Sequence, residues 1–148
     1  MAAGDITIFE EAKATMLDGG WEAADDIKCA ILDNTTGPTA ADATPVLADY
    51  TEVGAAGTYT AGGTSLGNWG TLVTEAAGTV TVDSTTNPSW AADASNDADA
   101  YWALLYNDTQ TTPLADPAFA FIDLGGPVDM SAVTLTLTWH ASGIFTLA

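Results

Sequence analysis

The sequence predicts a mainly β protein, an antiparallel β-sandwich or barrel of about eight strands with one short N-terminal α-helix. Three observations carry this expectation. Ala and Thr supply 51 of the 148 residues and Gly another 14; Thr favours strands and Gly marks turns. From Asp26 onward, apolar residues recur with a period of two or in short continuous runs. Turn signals such as Asn34-Thr35-Thr36-Gly37-Pro38 and Gly125-Gly126-Pro127 separate those runs. At 15.1 kDa the chain reads as one domain, 1–148, large enough to bury a core without metal or disulfide.

The helix is expected over residues 7–18. Thr7 and Glu10 have the spacing of a capping box, and Glu10 and Glu11 would sit in the first turn, where the helix dipole favours negative charge. Phe9, Ala12 and Met16 recur at helical spacing, and Gly19-Gly20 supplies a stop. The β-sandwich then occupies 26–147. Residues 27–32 form its first strand, with Cys29 on the face shared by Ile27 and Ile31. Residues 34–57 read as a long polar loop with one short strand around 46–50; a loop that long in a compact domain is commonly functional or disordered.

The later strands are expected at 59–66, 69–75, 78–83, 89–91, 101–106, 119–124, 132–139 and 144–147. Gly67-Asn68 would be the turn between the first two. The continuously apolar 101–106 run predicts a strand buried on both faces. Gly125-Gly126-Pro127 would end the 119–124 strand. The 132–139 stretch alternates most regularly, with Val133, Leu135, Leu137 and Trp139 on one side and three threonines on the other.

Charge excludes several function classes. Twenty acidic residues face two basic ones, Lys13 and Lys28, for a formal net charge of −18. Nucleic acid is not an expected partner, because phosphate affinity comes from Lys and Arg, and this chain has no Arg. A phosphate-handling enzyme would lack its usual cationic clamps. No membrane is expected either: anionic lipid would repel the chain, and the longest strongly apolar run is far short of a membrane helix. The N-terminus has neither the basic nor the long apolar region of a signal peptide, so a soluble, cytoplasmically made protein is expected.

The residues nominate no catalytic group and no cofactor. Cys29, the single cysteine, reads as a buried small apolar residue and can form no internal disulfide. His140, the single histidine, follows a strand end beside Ala141-Ser142-Gly143 and reads as a turn histidine. Two Cys and His residues in all exclude a structural zinc site. The carboxylates fall mostly in caps, turns and loops without singling out a pair for glycoside chemistry. No Gly-x-Ser-x-Gly elbow or phosphate loop appears. The densest acidic stretch makes Asp93, Asp97 and Asp99 the calcium candidate. The EF-hand pattern fails there because Ala98 stands where Gly is required, and a solvated acidic loop is the competing reading.

Five tryptophans bear on binding, since indole offers a large contact area with a polar handle. Trp102 and Trp139 lie in strong strands and are expected in the core. Trp21, Trp69 and Trp90 lie near turns. Together with Phe9 and Met16 of the expected helix, they are the interface candidates.

Several segments together carry a family resemblance. They are Asp5-Ile6-Thr7-Ile8-Phe9-Glu10-Glu11, Asp26-Ile27-Lys28-Cys29-Ala30-Ile31-Leu32, Thr58-Tyr59-Thr60-Ala61-Gly62-Gly63, Tyr101-Trp102-Ala103-Leu104-Leu105-Tyr106-Asn107-Asp108-Thr109, Phe121-Ile122-Asp123-Leu124-Gly125 and Ala141-Ser142-Gly143-Ile144-Phe145-Thr146-Leu147. In these the chain resembles small structural proteins of tailed bacteriophages, of the head-decoration or cement type. It departs from their pattern in lacking a basic residue before the Tyr101 strand. The resemblance implies a non-enzymatic virion protein on the capsid exterior that binds the major capsid protein and self-associates, as a trimer in the decoration analogy. A tail, neck or fibre component and a surface carbohydrate-binding module using the turn-borne tryptophans are the alternatives.

Overall fold

The computed structural model describes residues 4–18 and 20–147. Along the described chain run β1 (Ile6–Ile8), α1 (Ala12–Leu17), β2 (Asp26–Leu32), a 3-10 turn (Leu47–Asp49), β3 (Thr64–Asn68) and α2 (Trp69–Leu72). These are followed by β4 (Val73–Ala76), β5 (Thr79–Val82), β6 (Ser89–Trp90), β7 (Ala100–Asn107), β8 (Ala118–Val128), β9 (Leu135–Thr136) and β10 (Phe145–Leu147). All strand pairs are antiparallel. The main sheet has the order β1-β8-β7-β2-β3, accompanied by a three-stranded sheet β10-β5-β4 and the pair β6-β9. The main sheet runs from one edge to the other without closing, so the architecture is sandwich-like rather than a closed barrel.

Apolar runs place the core. β2 and β7 pair from Ile27↔Asn107 to Leu32↔Trp102, which sets Cys29 beside Leu105 and Ile31 beside Ala103. Ala103, Leu104, Leu105 and Tyr106 are all fully buried, as a central strand covered on both faces requires. β8 pairs Leu104↔Phe121, Leu105↔Ala120 and then Tyr106↔Ala118, so Phe119 is the extra residue of a bulge. That bulge separates two aromatic clusters. Phe121 packs on Phe9 (ring centroids 5.0 Å apart) and Trp102 (6.1 Å). Phe119 packs on Trp21 (5.3 Å), Trp69 (6.1 Å) and Phe145 (6.3 Å), tying the main sheet to β10.

The N-terminal segment departs from the expected helix over 7–18. Ile6, Thr7 and Ile8 pair with Ile122, Phe121 and Ala120 as an edge strand, and the helix is only Ala12–Leu17. The N-cap position of the helix is Glu11 rather than Thr7, because sheet pairing along three residues outweighs a local capping preference. Glu11 instead reaches across the chain to accept the Thr44 N–H at 2.8 Å. The stop at Gly19 lies outside the described residues.

Expectations for the strands and one turn are also corrected. In the 59–66 region only the part from Thr64 is strand. Gly62 and Gly63 both have positive φ, and a Cβ on Gly63 would lie 1.8 Å from the Cys29 carbonyl oxygen, so glycine lets this turn press on β2. Gly67-Asn68 lies inside β3 rather than in a turn. The 69–75 stretch opens with α2, because the Trp69 and Gly70 N–H groups are drawn to the Asp25 and Ala23 carbonyls. The 119–124 strand continues to Val128: residues 124–127 bulge between the Trp102↔Asp123 and Ala100↔Val128 pairs, with Gly125 and Gly126 at positive φ.

The 132–139 alternation yields only Leu135–Thr136 as strand. The Leu137 N–H bonds the Pro88 carbonyl, but Pro88 has no N–H to return, so the ladder stops. Within 34–57, the segment around 46–50 is a 3-10 turn flanked by single bridges, Val46↔Pro117 and Leu32↔Glu52, not a strand.

Candidate functional site

The second sheet and α1 together build an apolar groove of about 330 Å³. Its pattern follows from two periodicities. On α1, Lys13, Met16 and Leu17 stand three and four residues apart and so share a face. On the sheet, the registers align Phe145, Val82 and Val73 in one cross-strand row and Leu147 and Val80 in the next. Period-two alternation turns all five toward the groove. Trp69 of α2 and Ile8 of β1 complete it. The Trp69 ring is fixed edge-on to Trp21 at 4.8 Å, so the floor is rigid.

Much of this apolar surface faces solvent. Leu17 is 75% exposed and Leu147 is 43% exposed, two of the three exposed large hydrophobic residues among those described. Lys13 is the single charged residue in the lining, within a chain of net charge −18. The other cation, Lys28, is spent on an ion pair with Asp108 at 2.6 Å.

Of the interface candidates, the structure brings Met16 and Trp69 together in this groove. It places Phe9, Trp21 and Trp90 in the core, at 0%, 7% and 3% exposure, so these three offer no surface. Trp102 and Trp139, both expected in the core, are partly exposed, as Trp69 is. Position near a turn did not decide burial. Trp90 packs 5.9 Å from Tyr59, and Trp21 lies against Phe119. Apart from Met16 and Trp69, none of the groove residues was nominated from the sequence, Ile8, Leu17, Val82 and Phe145 among them. The Phe145/Leu147 alternation was legible, but it needs the β10–β5 pairing to acquire a neighbour.

The calcium candidate does not assemble as a set. Asp97 and Asp99 line a shallow cleft with Asp33, Asn34, Thr35 and Tyr101, and Asp93 lies outside it. Asp93 and Asp97 are already engaged by backbone N–H groups. Asp93 accepts the Ser95 N–H, and Asp97 accepts the Gly54 and Ala98 N–H groups. Among the described residues, no group of three or more His, Cys, Asp or Glu side chains could hold a metal ion. The structurally decisive residue of this acidic stretch is Asn96, which is buried. Its Oδ1 accepts the Thr58 and Tyr59 N–H groups, and its Nδ2 donates to the Ala91 and Met130 carbonyls, binding three segments together.

The reactive side chains are similarly committed. Cys29 is fully buried, and that burial pushes its thiol far up from its ordinary value. Tyr59 donates to Glu52 at 2.5 Å and accepts the Ile31 N–H at 3.0 Å. Burial first, then the Glu52 hydrogen bond, raises its phenol. His140 is exposed in a turn, where its Nδ1 accepts the Ser142 N–H at 3.1 Å. No described helix is long and apolar enough to cross a membrane. No family model, curated protein or solved structure matches the chain.

Proposed function

We propose that this chain is a virion structural protein that decorates the outer face of a tailed-phage head, docking on the major capsid protein through the α1–β10 groove. The observation that carries the reading is the groove itself: exposed Leu17 and Leu147 over a fixed aromatic floor, on a surface that is otherwise strongly acidic. Burying one leucine contributes roughly 1.5–3 kcal/mol. A modest groove per copy therefore gives large total stabilisation when many copies bind one lattice. The −18 charge favours the exterior, because packaged DNA repels an acidic chain. Self-association, as a trimer around a capsid symmetry axis, belongs to the same proposal, as does the absence of enzymatic activity.

The test is quantitative mass spectrometry of purified virions, followed by capsid co-sedimentation of Leu17→Asp. A copy number near that of the major capsid protein, or a simple fraction of it set by lattice symmetry, is expected. Leu17→Asp should weaken capsid binding by about tenfold or more with the melting temperature unchanged, because Leu17 makes its contribution only when covered. A few copies per particle would move the protein to the tail or neck. Absence from particles would end the virion reading.

A further inference from the structure

A second depression lies where β1 meets the segment after β9, and no residue lines both it and the groove. It is an open cleft of about 740 Å³, within the size range of small-ligand sites. We infer that this cleft binds a neutral oligosaccharide, with Trp139 as the stacking platform. The inference does not depend on the capsid reading.

The chemistry of the walls points to that class. Trp139 is partly exposed; its indole Nε1 donates to the Thr86 carbonyl at 2.7 Å, and its backbone N–H donates to Asn87 Oδ1 at 3.2 Å. An indole whose N–H is already satisfied and whose orientation is fixed offers its ring face at little ordering cost. The C–H face of a pyranose is the complementary surface. Beside it stand the exposed Thr136 and Thr138 and the His140 ring. Since His140 Nδ1 accepts the Ser142 N–H, the neutral ring carries its proton on Nε2 and presents a donor there. Trp139 with Ile6, Ile122, Leu137 and Ile144 gives the cleft an apolar lining, and the hydroxyls and imidazole donor that share it suit a polyhydroxylated, uncharged ligand.

Charge selects within the sugars. Asp5 is the single carboxylate in the lining and no cation is present, so the cleft has no partner for an anionic sugar and no acidic cluster for a polyamine. The net charge of −18 further repels sialylated or uronic glycans. The turn that closes the cleft is also sterically defined. Gly143 has φ +90° and donates its N–H to the His140 carbonyl at 2.8 Å, and a Cβ there would meet Val82 O at 2.8 Å.

The experiment titrates the intact chain with maltotriose, cellotriose, mannotriose and chitotriose, followed by amide NMR shifts and calorimetry. At least one trisaccharide is expected to shift residues 136–140 and 4–6. Trp139→Ala should lower that affinity about tenfold or more, Trp139→Phe should retain most of it, and Leu17→Asp should leave it unchanged. No shift with any of the four at millimolar concentration overturns the inference. So do shifts confined to other regions, or binding indifferent to Trp139→Ala. The wild-type shift map decides the question even if Trp139→Ala fails to fold.

Discussion

The groove and the cleft are built side by side from one stretch of chain, yet only the cleft adds a set of polar side chains to its apolar lining. Ile144 lines the cleft, and the next residue, Phe145, lines the groove. The groove is walled by isoleucine, valine, leucine, methionine and aromatic carbons with one lysine; the cleft sets threonine hydroxyls, an imidazole and one carboxylate among Ile6, Ile122, Leu137, Ile144 and an indole. A groove of the first kind gains by losing all its water, which a protein partner can accomplish over its whole length. A cleft of the second kind keeps polar groups that want replacement hydrogen bonds, which a hydroxyl-rich ligand provides. Alternation along β10 and its preceding turn is enough to place two such surfaces next to each other.

The largest expected effect separates the two sites through the core. Phe119 lies beneath the groove, in contact with Trp69 and Phe145, and lines no part of the cleft. Phe119→Ala should cost about 3–5 kcal/mol of stability, since a fully buried aromatic leaves a cavity. Chemical denaturation measures that loss. At temperatures where the variant remains folded, the shift map should change around 69, 73 and 145 and stay unchanged at 136–140. Equal disturbance of both regions would show that the two sites are one mechanical unit, and the contrast would fail.

How far the sequence revealed these regions depends on where each residue finds its partners. β2, β5 and β7 were legible because continuous or alternating apolar runs state their own burial, and Cys29 shares its face with Ile27 and Ile31 as expected. The edges were not legible. Thr7 and Glu10 carry a local helix signal, but Ile6–Ile8 is claimed by β8, which lies more than a hundred residues away. Gly125-Gly126-Pro127 reads as a stop, yet β8 passes it by bulging. Of the candidate site, only Met16 and Trp69 were foreseen, because a groove made by α1, β4, β5 and β10 exists only after those elements pack. Trp90 and Trp139 exchanged their expected roles for the same reason: burial of an indole is settled by what crosses over it, such as Tyr59, and not by its own strand.

A smaller effect gives a baseline remote from both surfaces. Asp42 accepts hydrogen bonds from the Thr39 N–H (2.9 Å), the Thr39 hydroxyl (2.5 Å) and the Tyr50 hydroxyl (2.9 Å). Burial raises its carboxyl, but the Thr39 and Tyr50 bonds prevail and hold it below its ordinary value of 3.8. A depressed folded value means the stabilisation is present above the unfolded value and is lost as pH falls through the folded one. Asp42→Asn should therefore cost about 1 kcal/mol near neutrality, and the difference from the native chain should close in acid below roughly pH 4. Thermal melts across pH would show it. A gap that persists unchanged into acid would assign the loss to packing around Tyr50 instead, and neither groove nor cleft should respond in either case.

The smallest expected effect concerns a third depression, the acidic cleft of Asp33, Asp97 and Asp99. Charge alone would make it a calcium trap, but two of its carboxylates, Asp33 and Asp97, already serve the chain. Asp33 accepts both the Thr35 N–H (2.7 Å) and the Thr35 hydroxyl (2.9 Å), and Asp97 holds the Gly54 N–H at 3.1 Å with one oxygen and the Ala98 N–H with the other. Binding a cation there would require giving up these bonds and gathering ligands the fold does not gather. A ligand that binds only the folded state raises the melting temperature with its concentration. Excess chelator should therefore leave the melting temperature unmoved, and added calcium should not raise it. A calcium-dependent rise abolished by Asp97→Asn would reverse this. It would give the molecule a third kind of depression, one whose polar groups are completed by an ion rather than by a protein or a sugar.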